Sequence, residues 1–189
     1  MSDRPRDMAR QATAAAKQYA ATYGIWILIG VVIFLIISWI LNKGRLAGEA
    51  GSNCTTMNAV YKDFPPISTV DTSEDGYNYG LRDYYIKTAY NCCSAGYYKN
   101  DFVNICALNN CIRAGARCLD FAVYSVDNRP VIAVSSMEDY STKESYNSIP
   151  FGKAMETIAN NAFASGATTC FGDPLIIHLR ILSRNKKIY

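Results

Sequence analysis

From Ile25 to Leu41 the chain carries no charged residue, and only Gly30 and Ser38 interrupt the bulky apolar side chains. At about 1.5 Å rise per residue, a helix between Tyr23 and Asn42 would reach about 28 Å, close to the roughly 30 Å hydrocarbon core of a bilayer. Tyr23, Trp26 and Trp39 stand near its two ends, where amphipathic rings prefer the headgroup level. A buried core helix is one alternative. A cleaved signal peptide is another, but the run begins late, is long and has no small-x-small cleavage pattern directly behind it. The run therefore predicts a single membrane anchor with nearly all other chemistry on its C-terminal side.

Flanking charge gives the orientation. Arg4, Arg6, Arg10 and Lys17 precede the span, and only Lys43 and Arg45 follow it closely. That bias predicts a cytoplasmic N-terminus, with the lipid bilayer as the first partner. The net charge of +3 is small and dispersed, and no basic stripe with interleaved aromatics is present, so no nucleic-acid partner is expected. All seven cysteines (Cys54, Cys92, Cys93, Cys106, Cys111, Cys118 and Cys170) follow the span. Their restriction to one side fits an oxidising compartment with two or three disulfides, the odd count leaving one free or intermolecular. Asn53-Cys54-Thr55 is a glycosylation sequon, so Asn53 is a candidate glycan site. Buried thiols and chance tripeptides are the ordinary alternatives. No C-x-x-C pair occurs and His178 is the single histidine, so neither a zinc site nor any other cofactor is expected.

Four segments follow. Residues 1–22 are Ala-rich with good helix propensity, 23–42 form the membrane helix, 43–80 read as a polar linker or arm, and 81–189 form an α/β domain. In the arm, Pro65-Pro66 and Ser73-Glu74-Asp75-Gly76 mark turns. In the domain, Tyr84–Asn91 reads as a strand, and Val103–Ala114 has helical apolar spacing with Gly115 as its stop. Arg117–Ser125 reads as a strand, Asp127-Asn128 as a turn and Pro130–Val134 as the next short strand. Phe151, Ala154, Met155, Ile158, Ala159, Ala162 and Phe163 trace a second amphipathic helix, opened at Ser148 and Pro150 and closed by Gly166. After Asp173-Pro174, Leu175–Leu182 is a nearly continuous apolar run of the kind found in buried parallel strands. The pattern predicts an α/β fold compatible with part of a barrel.

Ala107-Leu108 through Gly115-Ala116-Arg117-Cys118-Leu119-Asp120, then Pro130-Val131-Ile132, Ile158–Phe163 and Pro174–Leu179 carry a family resemblance. Together they resemble the catalytic X region of phosphatidylinositol-specific phospholipase C, over about residues 84–183. The resemblance implies a partial TIM-barrel-like domain. It also implies a mechanism in which one histidine is general base and another general acid, while Asn, Glu and Asp side chains hold calcium. Tyr90 stands where the family has its first histidine, and Asn91 keeps the adjacent asparagine. Asp120 and Ala122 fall on the family's carboxylate pair, Ser136 on its second histidine and Arg180 on its last carboxylate. On these positions both acid–base residues and two of four metal ligands are replaced, which implies a pseudoenzyme. His178, two residues before Arg180 and on the same strand face, is the remaining pocket candidate.

The leading expectation is a non-catalytic, membrane-anchored scaffold that uses the degenerate domain for protein contacts. Proteins of this build resemble membrane-associated structural components of large DNA-virus particles, which link an inner membrane to the capsid. One alternative is a membrane-anchored phosphoinositide phosphodiesterase using His178 and Asp120. A second is a disulfide-stabilised ligand-binding ectodomain. The tail from Arg184 to Lys187 reads as a solvated loop.

Overall fold

A computed structural model of the chain describes residues 4–63, 65, 67, 69, 79–137 and 142–185. Part of the expected arm, residues 70–78 with the Ser73–Gly76 turn, lies outside these, as does the tail beyond residue 185. The chain divides into two units, Met1–Gly48 and Glu49–Tyr189.

The first unit consists of most of α1 (Arg4–Tyr61), a single helix of 58 residues. It is long and apolar enough to cross a membrane, and every side chain from Ile25 to Leu41 is exposed. A helix apolar all round with nothing packed on it has the surface a bilayer would cover. Lys43 sits over the Trp39 ring at 5.4 Å, at one end of the apolar stretch.

Residues 43–61, expected as the start of a polar linker, instead continue this helix. Extension from an existing helix needs no new nucleus. Leu46, Ala47, Glu49, Ala50, Met57 and Ala59 are good helix formers, enough to offset Gly44, Gly48 and Gly51 at about 1 kcal/mol each. The helix ends before Pro65-Pro66, which disfavour helical backbone in the residue ahead of them.

The second unit is a mixed α/β body built on one five-stranded sheet. Its elements are β1 (Thr88–Ala89), α2 (Ile105–Arg113), β2 (Cys118–Val126), β3 (Arg129–Ile132), β4 (Ile149–Pro150), α3 (Phe151–Asn161) and β5 (Ile176–Ile181). The central strand is β2. Strand β5 runs parallel to it, with Asp120 opposite His178 and Ala122 opposite Arg180. Strand β1 pairs parallel with the start of β2, at Cys118 and Leu119, and β3 pairs antiparallel with its end. The β2–β3 hairpin closes through Asp127 and Asn128, both at positive φ (51° and 58°), the conformation that matches strand twist in a two-residue turn.

Alternation along β2 divides its side chains between two layers. Leu119 and Phe121 point into a core shared with Leu108 and Ile112 of α2, Ala154 and Ile158 of α3, and Ile132 and Val134. Ala122 and Tyr124 pack on the opposite face with Val131 and Ala133. Asp120 stands on that second face.

Several expectations shift. The Tyr84–Asn91 strand contracts to Thr88–Ala89, preceded by a 3-10 turn at Leu81–Asp83, and Tyr85 is fully exposed. The positive φ of Asn91 (47°) turns the chain away from the sheet. One disulfide, Cys54–Cys106, is formed among the described residues, against the two or three expected. The other five cysteines are thiols, and Cys92, Cys93 and Cys170 are buried as small apolar side chains. Strand β5 is parallel as expected but not covered on both faces, since Ile177, Leu179 and Ile181 remain exposed.

Candidate functional site

The site gathers where the C-terminal ends of β1 and β5 flank the middle of β2. Period-two alternation puts Asp120 and Ala122 of β2 on the same face as His178 and Arg180 of β5. Ala122 offers Arg180 only a methyl group across the register, and the guanidinium reaches diagonally to Asp120, Nη2 donating to Oδ1 at 2.8 Å and Nε to Oδ2 at 3.1 Å. His178 Nδ1 lies 2.6 Å from Asp120 Oδ2. The turn after β1 completes the shell: the Asn91 amide donates to Asp120 Oδ1 at 3.1 Å, and Asn91 Oδ1 accepts from Arg180 Nη2 at 2.5 Å. Tyr90 lies beneath the guanidinium, 4.4 Å from ring centroid to Cζ, with the Tyr98 ring edge-on to it at 6.2 Å.

The Asp120 side chain is 4% exposed, that of Arg180 18% and that of His178 60%. Burial pushes the Asp120 carboxyl up, but the hydrogen bonds from Arg180, the Asn91 amide and His178 outweigh it and hold it below the usual carboxylate range. The carboxylate thus has donors on both oxygens. The guanidinium bridges Asn91 and Asp120. His178 Nε2 lies on an exposed ring whose other nitrogen is held by a buried carboxylate.

Tyr90, Asn91, Asp120, His178 and Arg180 are therefore brought together, with Ala122 beside them. Ser136 is not. It is exposed in the loop after β3, where its amide and hydroxyl donate to Glu144 Oε2 at 2.8 and 2.5 Å. Ser135 Oγ adds a third bond at 3.1 Å and Lys99 lies 3.3 Å from the other oxygen, so the Glu144 carboxyl is held down at about 2, chiefly by Ser136. Glu144 and Lys99 lie in segments without apolar period, and nothing in the sequence marks them. Asn53 sits half-buried on α1, and its amide nitrogen, the atom that would carry a glycan, donates to Asp101 Oδ1 at 2.9 Å.

A separate cavity of about 440 Å³ lies between residues 57–61 of α1, the β1 segment and α2. Met57, Tyr61, Lys87, Cys92 and Cys111 are among its lining residues. Burial pushes the Cys111 thiol up to about 11. No family model matches the chain, and no curated protein matches it.

Proposed function

We propose that the chain is a membrane-anchored, non-catalytic structural protein whose α/β body is a phospholipase C-like partial barrel reused for contacts with other proteins. The position of Arg180 carries this reading. Its guanidinium lies between Asn91 Oδ1 and the Asp120 carboxylate, in the place where a phospholipase of this type would hold its metal. An internal cation fixed by a buried carboxylate neutralises the pocket permanently and leaves no carboxylate pair for a divalent ion. With Tyr90 at the base position and Ser136 turned away on Glu144, general acid–base chemistry has lost two groups, each worth roughly 10²–10⁴-fold.

The three parallel strands in the order β1, β2, β5, with α2 and α3 packed on one face, suit the opening segment of a barrel. Exposed Ile177, Leu179 and Ile181 on β5 suit contact with another protein, and the apolar stretch of α1 suits the bilayer. Linking a virion inner membrane to an overlying capsid is the role we assign by resemblance of build, with the N-terminus cytoplasmic by the charge bias.

A second reading has its own observation. A histidine ring 60% exposed, with Nδ1 held 2.6 Å from a buried aspartate, has the orientation of a general base. It would serve a phosphodiesterase acting on phosphoinositides. Phosphodiesterase activity on phosphatidylinositol vesicles, with and without calcium, separates the two. The structural reading expects no turnover by the purified full-length protein or by His178→Ala. Turnover in the parent that His178→Ala abolishes would overturn it.

A further inference from the structure

Residues 49–61 of α1 lie on the body through a narrow stripe. Ala50, Asn53, Cys54 and Met57, spaced as one helix face, are half-buried, and no side chain of this segment is buried. The polar contacts include Asn53 to Asp101 at 2.9 Å and Asn58 to Asn110 at 2.8 Å, both between side chains that water can also satisfy. One covalent bond joins the two, Cys54 to Cys106 at the start of α2. The same segment supplies Met57 and Tyr61 to the wall of the 440 Å³ cavity, with Cys111 among the residues of the facing wall.

From this we infer that the Cys54–Cys106 disulfide is a redox-controlled clamp, which holds residues 49–61 over the cavity when oxidised and lets them leave it when reduced. A dithiol reductant is the co-reactant. Its thiolate attacks one sulfur of the bridge to give a mixed disulfide, and its second thiolate closes on the first sulfur. Two electrons and two protons pass to the protein, leaving Cys54 and Cys106 as thiols and the reductant as a cyclic disulfide. The body keeps its fold, because its core, among the described residues, draws on α2, α3 and the sheet and on none before Cys92 apart from half-buried Ala89.

Cys111 is the internal reporter. Half-buried in the cavity wall, its thiol is pushed up to about 11, so at pH 8 about one molecule in a thousand is thiolate. An opened cavity would return it towards the ordinary value of about 8.5 and raise the thiolate fraction on the order of a hundredfold. The test is iodoacetamide labelling of full-length protein in detergent, resolved by peptide mass spectrometry. Oxidised protein, protein reduced by dithiothreitol, and Cys54→Ser without reductant are compared. The expected result is a Cys54–Cys106 linked peptide in the oxidised protein, and Cys111 labelling at least tenfold faster in the other two. Buried Cys93 and Cys170 should stay equally slow in all three. Equal Cys111 rates would overturn the clamp, since the helix would then stay docked without the bond. A matching rise at Cys93 and Cys170 would overturn it too, because the body itself would have opened, and so would absence of the linked peptide.

Discussion

Asp120 sits at the convergence of three segments that are distant in sequence, and its energetics follow from what each segment brings. Arg180 contributes charge and a fork of donors, Asn91 a backbone amide, and His178 one ring nitrogen. Removing one member of a buried pair leaves the other uncompensated, which costs about 3–5 kcal/mol. Asp120→Asn should therefore lower the unfolding free energy by about 3 kcal/mol, read from urea titration of the full-length protein in detergent. Arg180→Met should do comparable harm, and the double change less than the sum, because neither then strands a charge. The pH dependence has a definite sign. The folded carboxyl is held below its unfolded value, so its contribution is complete above the ordinary aspartate pKa of about 4 and is lost as the pH falls through the lower, folded value. The difference in stability between the parent and Asp120→Asn should hence be constant from pH 7 to about 5 and shrink below 4. A difference that stayed constant to pH 3 would mean that folding does not lower the Asp120 pKa. That His178 and Arg180 share a face was legible beforehand from strand alternation, whereas Asp120 was drawn to them only through the family resemblance. That Arg180 would bridge Asn91 and Asp120 was not legible, since it depends on parallel register and on the small side chain at Ala122.

Helix α2 ends where a left-handed residue is needed. Gly115 has φ +81°, and its amide donates to the Ile112 carbonyl at 3.0 Å, the usual way to close a helix and send the chain into a strand. A Cβ there would also stand 3.3 Å from the Ile67 amide and 3.4 Å from Cys170 Sγ. Gly115→Ala should cost about 1 kcal/mol or more, visible as a lower urea midpoint, whereas Gly152→Ala on α3, with open space around it, should be neutral or stabilising. Equal effects would show that the φ at 115 is not a constraint. Elements of this sort were readable from sequence: Gly115 as a stop, Asp127-Asn128 as a turn, and the apolar periods of α2, α3 and β2 all fall within a few residues of their observed bounds. Elements that depend on tertiary partners were not. The tyrosine-rich stretch before Asn91 has strand composition, but only Thr88 and Ala89 meet β2. Residues 43–61 have linker composition, yet they propagate an existing helix and are pinned at Cys54. The run at β5 looked buried on both faces because uninterrupted apolar residues say nothing about which face finds a partner.

Taken as a whole, the molecule is a long apolar helix joined to a small α/β body, and the helix supplies the sharpest test of how the chain is used. About a dozen Ile, Leu, Phe and Val residues lie between Ile25 and Leu41. At roughly −0.3 to −0.6 kcal/mol each on the insertion scale, they favour the bilayer by about 4–8 kcal/mol. One arginine at the centre costs roughly 2.5–3.5 kcal/mol, which this surplus absorbs. Val32→Arg should therefore still sediment with membranes after alkaline carbonate washing. Val32→Arg combined with Ile36→Arg costs about 5–7 kcal/mol and also loses two favourable residues, so most of the protein should move to the supernatant. The two positions are one helical turn apart, on one face, so the threshold behaviour tests insertion specifically. A soluble protein that adsorbs through its body would respond to neither change, and retention of the double variant would place the membrane attachment outside this helix. The orientation proposed from the charge bias of Arg4, Arg6, Arg10 and Lys17 predicts that, in the single variant, a glycosylation acceptor added ahead of Arg4 stays unmodified. Reversing their charge should invert the protein and modify the acceptor. An insertion energy set by the apolar run and an orientation set by its flanks are separate terms, and changing one should leave the other in place.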